Sequence, residues 1–266
     1  SCSVVFSKLV QFRNDTGAYI AFTADTGRIT RQTSKHAGTG NVIVNNKLYC
    51  SLSRSPGPFY GIYDQQGSTD YTTISTHNRI DSNLISTFYS VGIYMRYING
   101  ELCRNNTITR GNCSSSSNTD TTLIGIFCLD GRSDDQAIEI KGNQIEHLPY
   151  KNASLNGAID FIWNLYGINA WKLSGGGKRT VIIEDNRLSD FTYFSRFHGI
   201  LSQYGEQISI SKNVLYNIKG DRGYSFGIYS QLGDDVKMDH NVLRKIDFGS
   251  SNTGDGVLLF GYEMGS

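Results

Sequence analysis

The sequence predicts an all-β chain that winds as a solenoid of short strands, and three observations predict it. An Asn-centred motif recurs along the 266 residues, and a Gly-apolar pair alternates with it. Apolar and polar residues alternate at period two, as in Ile208-Ser209-Ile210, and helical spacing is not sustained in the sequence. Two interleaved series do not arise readily by chance, so we expect one structural unit to repeat along the whole chain.

The Asn motif is an apolar residue, two arbitrary residues, Asn, one arbitrary residue, then Ile or Leu. Its strong copies are Ile43-Asn46-Leu48, Ile140-Asn143-Ile145, Ile183-Asn186-Leu188, Ile210-Asn213-Leu215 and Met238-Asn241-Leu243. Its weaker copies are Ser75-Asn78-Ile80, Cys103-Asn106-Ile108 and Val4-Ser7-Leu9, where Ser replaces Asn. Each Asn would form a corner between two strands, and a left-handed backbone there suits Asn better than most residues. The motif predicts a ladder of stacked amides from Asn46, Asn78, Asn106, Asn143, Asn186, Asn213 and Asn241.

The second marker is Gly followed by an apolar residue. It reads Gly61-Ile62, Gly92-Ile93, Gly125-Ile126, Gly199-Ile200, Gly227-Ile228 and Gly256-Val257. In the fourth copy we expect Ala158-Ile159 to take this place. Long loops are expected to leave the repeat, among them the segment from Asn164 to Arg179.

Repeats of this length, with three short strands and an Asn corner, resemble the right-handed parallel β-helix. Pectate-lyase-like proteins, phage tailspikes and many bacterial surface proteins share that fold. The resemblance covers about residues 2 to 262 and implies about seven to eight coils with long loops. We therefore expect a single β-helix domain over residues 1–266, either a complete rod or a segment of a longer one.

One face of the expected rod is unusually apolar. If the residue after Gly points inward, the next one points outward, which gives the row Tyr63, Tyr94, Phe127, Asp160, Leu201, Tyr229 and Leu258. Arg96 stands in the row two residues further on, and the glycines would form a row without side chains. Contiguous apolar surface usually marks an interaction site. Three interpretations stay open: a covering loop or a different in-out phase, a contact with another protein chain, or a glycan groove. The resemblance supports the groove, because pectate-lyase-like enzymes commonly bind substrate along the corresponding sheet.

Catalysis on a glycan would need paired acidic groups. Glycoside hydrolysis uses two carboxylates about 5 to 9.5 Å apart. Asp160 and Asp130 form the best candidate pair, because Asp160 is the one acid in the outward row and Asp130 ends a nearby strand. His198 is expected to point inward or into a corner as a structural residue. The sequence contains no Ser nucleophile elbow or phosphate-binding loop, so whether the chain is an enzyme stays open.

Composition excludes several classes of partner. The chain has 25 Lys and Arg against 24 Asp and Glu, and this balance does not suit binding to nucleic acid through phosphate neutralisation. The sequence contains no run of about 18 apolar residues, so no membrane-spanning helix is predicted. The five cysteines lack zinc-type spacing, so neither a metal nor a cofactor is predicted, and small buried hydrophobes are the simpler interpretation.

The two ends of the sequence lead to the functional hypothesis. The chain begins with Val4-Val5-Phe6 and finishes near Val257-Leu258-Leu259-Phe260, with no amphipathic capping helix. We therefore expect self-association or contact with neighbouring subunits. The leading hypothesis is an extracellular structural or adhesive module of a filament, appendage or spike, at a cell or virion surface. The alternative is a carbohydrate-active enzyme (a polysaccharide lyase or a tailspike-like glycoside hydrolase) or a glycan-binding module, with a polysaccharide as the partner.

Overall fold

The structure, a computed structural model, describes twelve segments of the chain. They are residues 3–5, 8–11, 18–23, 39–50, 58–65, 75–86, 88–110, 121–148, 162–175, 180–193, 196–220 and 225–247. Within these segments there are 25 strands and no helix, and the strands form a 17-stranded and an 8-stranded sheet. Strand pairing within the described segments is parallel throughout. The prediction of an all-β chain with a parallel, solenoid-like arrangement is confirmed.

The strands, numbered β1 to β25 in chain order, fall into three parallel stacks. The pre-Asn strands are β1 (Ser3–Val5), β4 (Val42–Val44), β8 (Arg79–Asp81), β12 (Leu102–Arg104), β15 (Glu139–Lys141), β18 (Val181–Glu184), β21 (Glu206–Ser211) and β24 (Asp234–Asp239). The post-Asn strands are β2 (Lys8–Gln11), β5 (Lys47–Cys50), β9 (Leu84–Ser86), β13 (Thr107–Thr109), β16 (Gln144–Glu146), β19 (Arg187–Tyr193), β22 (Val214–Gly220) and β25 (Val242–Asp247). The Gly strands are β3 (Ala18–Thr23), β6 (Tyr60–Gln65), β10 (Val91–Arg96), β14 (Thr121–Arg132), β17 (Ile162–Ser174), β20 (Arg196–Gln203) and β23 (Ser225–Gln231). Two short strands, β7 (Ser75–Thr76) and β11 (Ile98–Asn99), pair with each other.

The core lies between the stacks and is built from one row of apolar side chains per stack. The pre-Asn strands contribute Ile43, Ile80, Cys103, Ile140, Ile183 and Ile210, and the post-Asn strands contribute Leu48, Ile85, Ile108, Ile145, Leu188 and Leu215. The Gly strands contribute Ile62, Ile93, Ile126, Ile168, Ile200 and Ile228. All eighteen are at most 2% exposed. Because side chains alternate along a strand, each strand gives the core about every second residue.

An asparagine ladder joins the pre-Asn and post-Asn strands. Its members are Asn46, Asn83, Asn106, Asn143, Asn186, Asn213 and Asn241. The backbone N–H and the Nδ2 group of each Asn donate to Oδ1 of the next, at 2.9 to 3.0 Å. The other Nδ2 hydrogen donates to a backbone carbonyl, such as that of Cys103 for Asn143 at 2.9 Å. An amide has two donors and an oxygen with two lone pairs, so the buried Asn143 is fully hydrogen-bonded.

The left-handed residue at this corner is the one before the ladder Asn, and not the ladder Asn itself as we expected. These residues are Asn45, Ser82, Asn105, Gly142, Asp185, Lys212 and His240, with φ between 50° and 66°. They are of mixed type, since the bend places their side chains towards solvent. The ladder position requires Asn for its hydrogen bonds, whereas the bend does not require one residue type.

Asn78 was expected in the ladder, but Asn83 takes that place. Asn78 lies just before β8 instead. Its Oδ1 accepts from the backbone N–H of Asn41 at 2.8 Å, and its Nδ2 donates to Asp64 at 2.9 Å. Asn78 therefore belongs to a second buried polar group, at the other end of the pre-Asn strand.

The fourth copy of the Gly marker is also different from the expectation. Gly167-Ile168 takes the place expected for Ala158-Ile159, because Ile168 pairs with Ile126 on one side and with Ile200 on the other. Residues 164–174 therefore lie in β17 and do not form the expected loop. Residues 158 to 160, including Asp160, lie outside the described residues.

Two cysteines of the described segments lie in the core. Cys103 and Cys128 are free thiols, and both are fully buried. Burial raises the pKa of each thiol, so both stay protonated at neutral pH. They pack as small apolar side chains, as the sequence predicts for its cysteines.

Candidate ligand-binding face

Glycine marks a point where each Gly strand from β6 onwards lies close to the 8-stranded sheet. A Cβ atom on Gly167 would lie 2.2 Å from Leu188 Cδ2 and 2.5 Å from the carbonyl oxygen of Gly199. Similar collisions with an Ile or Leu side chain of that sheet would occur at Gly61, Gly92, Gly125, Gly199 and Gly227. The missing side chains therefore face the core, and the expected outward row of glycines is wrong.

The close approach at glycine places its flanking residues on the outer side of the sheet. In β6 the buried Gly61 and Ile62 lie between the half-buried Tyr60 and Tyr63, whose ring centroids are 4.8 Å apart. Each Gly strand from β6 onwards therefore adds two residues to a surface that we call the aromatic face. One row of this face is Tyr60, Val91, Ile124, Tyr166, His198 and Phe226, and the other is Tyr63, Tyr94, Phe127, Asn169, Leu201 and Tyr229.

The structure places five of the seven expected face residues together, and the other two, Asp160 and Leu258, lie outside the described residues. Tyr63, Tyr94, Phe127, Leu201 and Tyr229 occupy consecutive register positions of one row. Asn169 takes the position expected for Asp160. Sequence reasoning missed the other row, although an aromatic, β-branched or imidazole residue precedes each of these glycines.

The part of the aromatic face on β6, β10 and β14 is a compact group of rings outside the main core. Tyr63 and Tyr94 stack with centroids 5.0 Å apart and planes 5° apart, and Phe127 meets Tyr94 edge-on at 5.5 Å. Val91 and Ile124 belong to the same hydrophobic cluster as these rings. Burial raises the pKa of Tyr94 to about 12, so its hydroxyl stays neutral at physiological pH. Here the face offers rigid rings with polar edges.

The part of the aromatic face on β17, β20 and β23 contains four stacked rings. The His198 ring lies 5.2 Å from Tyr166 and 5.3 Å from Phe226, and Phe226 stacks on Tyr229 at 4.6 Å. His198 was expected inside the rod or at a corner, but it lies among these outer rings. Burial, and then the nearby Arg196, lowers the pKa of His198 to about 4. The imidazole is therefore neutral at pH 7 and behaves as a further flat ring.

Asp130 lies at the end of β14 in a left-handed conformation, with φ of 53°. Its Oδ2 accepts a hydrogen bond from Arg96 Nε at 3.2 Å, and the Asp130 side chain is 11% exposed. The Arg96 guanidinium also lies 4.4 Å from the centroid of the Tyr97 ring. Arg96 and Asp130 therefore form an ion pair beside the aromatic face. Asp64, the other acid of the described Gly strands, is fully buried and accepts a hydrogen bond from Asn78.

A small polar cleft lies beyond the aromatic face, where the chain bends after the Gly strands. Its volume is about 360 Å³. The lining residues are Gly131, Arg132, Asp134, Lys172, Ser174, Tyr204 and Glu206. Lys172 and Tyr204 are left-handed, with φ of 51° and 53°. The sequence analysis did not single out this cleft, because its residues come from three separate strands or bends.

The described segments show neither a metal cluster nor a membrane helix. Among their residues, no group of three or more His, Cys, Asp and Glu side chains could hold a metal ion. None of them forms a helix that is long and apolar enough to cross a bilayer.

Comparison with known proteins gives one structural similarity. No protein-family model matches the chain, and no curated protein matches its sequence. The structure is similar to that of the Streptococcus pneumoniae surface protein and adhesin PfbA, with 8% sequence identity and a TM-score of 0.22. The match covers 93% of this chain and 85% of that chain. A TM-score this low supports no argument about function.

Proposed function

We propose that the chain is a structural or adhesive module of a surface-exposed, extracellular assembly such as a filament, appendage or spike. In this proposal residues 1–266 form a single right-handed parallel β-helix of seven to eight coils. The observation that carries the proposal is the aromatic face, which runs over six consecutive Gly strands. Through this face the module contacts neighbouring subunits or the surface to which it adheres.

The chemistry of the aromatic face suits a contact surface. Tyr and Phe bury large areas at interfaces and lose little conformational entropy, since each has two side-chain torsions. Tyr60, Tyr63, Phe127, Tyr166 and Tyr229 keep part of their surface accessible. Five members of the face are buried, namely Val91, Tyr94, Ile124, Asn169 and Leu201. The accessible part of the face therefore consists mainly of partly exposed aromatic rings, and accessible apolar surface is typical of interaction sites.

The backbone beneath the face is rigid. Every residue of the face is fixed by parallel pairing to the strand before or after it. A partner would therefore meet rings that are already in place, and less entropy would be lost on binding. Flexible loops with the same composition would bind more weakly.

Sedimentation velocity of the purified chain over a concentration series tests this proposal. We expect the wild-type chain to associate beyond the monomer, and the double variant Tyr63→Ser/Tyr229→Ser to associate at least about tenfold more weakly. Tyr216→Ser is the matched control, because Tyr216 is half-buried on the opposite sheet.

Two results would contradict the proposal. The first is a wild-type chain that stays monomeric at its highest soluble concentration and binds to no cell surface or polysaccharide. The second is association that the double variant retains at wild-type strength while its thermal unfolding midpoint is unchanged. Surface labelling of the source cells or virions with a membrane-impermeant reagent tests the extracellular location.

A second candidate function, carbohydrate cleavage, is favoured by the position of Asp130. Its carboxylate and Arg96 lie at the edge of the aromatic face, where a bound sugar chain would pass. Incubation with acidic and neutral polysaccharides, followed by product analysis, tests for activity. If products form, Asp130→Asn and Asp160→Asn should each abolish them. If both variants cleave at the wild-type rate, these two aspartates are not the catalytic pair.

A further inference from the structure

We propose that the polar cleft at residues 131–134, 172–174 and 204–206 binds a neutral sugar ring. Its volume of about 360 Å³ is at the lower end of small-molecule sites, which are roughly 300–1,000 Å³. The proposal deepens the adhesive role proposed above, on which it rests for its biological setting, by naming a class of ligand.

One wall of the cleft is an exposed aromatic ring. Tyr204 is 47% exposed and lies in a left-handed bend between β20 and β21. Trp171 supports it from behind, with ring centroids 5.7 Å apart. The C–H face of a sugar ring is apolar and flat, so it can pack on such a phenol ring while its hydroxyl groups point elsewhere.

The remaining walls carry hydrogen-bond donors and acceptors in fixed positions. Arg132, Ser174 and Glu206 occupy consecutive register positions, so they lie about 4.8 Å apart along the stack. Ser174 Oγ donates to Glu206 Oε2 at 2.9 Å, and Asn99 Nδ2 donates to Asp134 Oδ2 at 3.0 Å. These bonds orient the two carboxylates and leave lone pairs for a ligand.

The balance of charge in the cleft selects an uncharged ligand. Arg132 and Lys172 provide two positive charges, and Asp134 and Glu206 provide two negative ones. Because these charges cancel, neither an anion such as phosphate, sulfate or uronate nor a cation gains a net electrostatic attraction. A hydroxyl group both donates and accepts, so a ring with several hydroxyl groups can use all four side chains.

Saturation-transfer NMR with the purified full chain tests the inference. The probes are neutral oligosaccharides of glucose, galactose, mannose and N-acetylglucosamine, with oligogalacturonate and a sulfated oligosaccharide for comparison. We expect at least one neutral probe to bind with Kd of about 1 mM or tighter. Tyr204→Ala should weaken that binding at least about tenfold, and Glu206→Gln should weaken it several-fold.

Matched variants separate this site from the aromatic face. Tyr216→Ala replaces a half-buried tyrosine of the opposite sheet, which lies beneath Lys245, so this variant should bind the sugar like the wild type. Tyr63→Ser/Tyr229→Ser should also bind normally, even if it no longer associates. The inference is overturned if no neutral probe binds, if the anionic probes bind more tightly, or if Tyr204→Ala binds unchanged with an unaltered unfolding midpoint.

Discussion

The Asn ladder and the aromatic face both run along the stack, but they repeat in different ways. The ladder repeats one residue type, and its amides keep the same hydrogen bonds within 0.1 Å from step to step. The face repeats only a mainly apolar character, because its equivalent positions hold Tyr, Phe, Leu, Asn, Val, Ile and His. The interior corner must satisfy buried polar groups, whereas the outer surface need only supply area.

This difference indicates where a substitution should be most harmful. A buried amide cannot be exchanged without leaving unpaired donors, which is more costly than losing apolar contact. A ring on the outer face can be replaced by another apolar group with a modest loss. The four predictions below test this contrast, from the largest expected effect to the smallest.

Asn143→Ala should lower the free energy of unfolding by about 4 kcal/mol. It would remove the acceptor for the backbone N–H and Nδ2 of Asn106, and both donors would stay buried. Denaturant unfolding followed by circular dichroism measures the loss. Gln144→Ala, an exposed neighbour, should change stability by less than about 0.5 kcal/mol. Equal effects of the two variants would mean that the ladder contributes no special stability.

Gly167→Ala should lower the free energy of unfolding by about 3 kcal/mol. The new methyl group would meet both Leu188 Cδ2 and the Gly199 carbonyl oxygen. Adding Leu188→Ala should not restore stability, because the backbone contact would remain. A fully tolerated alanine at this position would show that the register of β17 is wrong.

His198 should make the fold less stable in acid. The pKa of His198 is about 6.5 in the unfolded chain and is lowered to about 4 in the fold. The stability that the neutral ring contributes is therefore fully present above pH 6.5. As the pH falls from 6.5 to 4, the unfolded chain takes up the proton first, and about 3 kcal/mol of stability should be lost. Because carboxylates also titrate here, the measurement is the difference between the wild type and His198→Phe. A difference that does not vary with pH would contradict the buried, neutral ring.

The stacked pair Tyr63 and Tyr94 should be coupled by about 1 kcal/mol. A double-mutant cycle with Tyr63→Leu and Tyr94→Leu measures this coupling by denaturant unfolding. Both single variants should stay folded, because leucine still covers Val91 and Ile124. A coupling larger than the loss for Asn143→Ala would reverse the contrast between corner and face.

The Asn ladder could be predicted from the sequence, except that Asn78 was assigned to the place that Asn83 occupies. Ile80-Asn83-Ile85 has the apolar first residue that Ser75-Asn78-Ile80 lacks, so the correct copy was visible. The paired registers of Val4 with Ile43 and of Leu9 with Leu48 also agree with the weak first copy. Parallel stacking makes this possible, because each buried position sees the same neighbours in every repeat.

The face and the cleft were less predictable for a physical reason. Gly167-Ile168 fits the Gly marker, but it follows the preceding Asn motif at an unusually long distance. Ala158-Ile159, which lies between them, was therefore assigned to this place. His198 precedes a glycine, and a regular alternation would place it inside; the close approach at Gly199 puts it outside. The cleft depends on which residues stack across strands that are 32 or more positions apart, such as Ser174 and Glu206.

Donation in the Asn ladder runs one way, from Asn46 towards Asn241, at every step. The amide dipoles therefore add along the described ladder, and the row of amides has a fixed polarity. A further amide can join this row only with the same polarity, because a reversed amide would set two carbonyl oxygens or two N–H groups against each other.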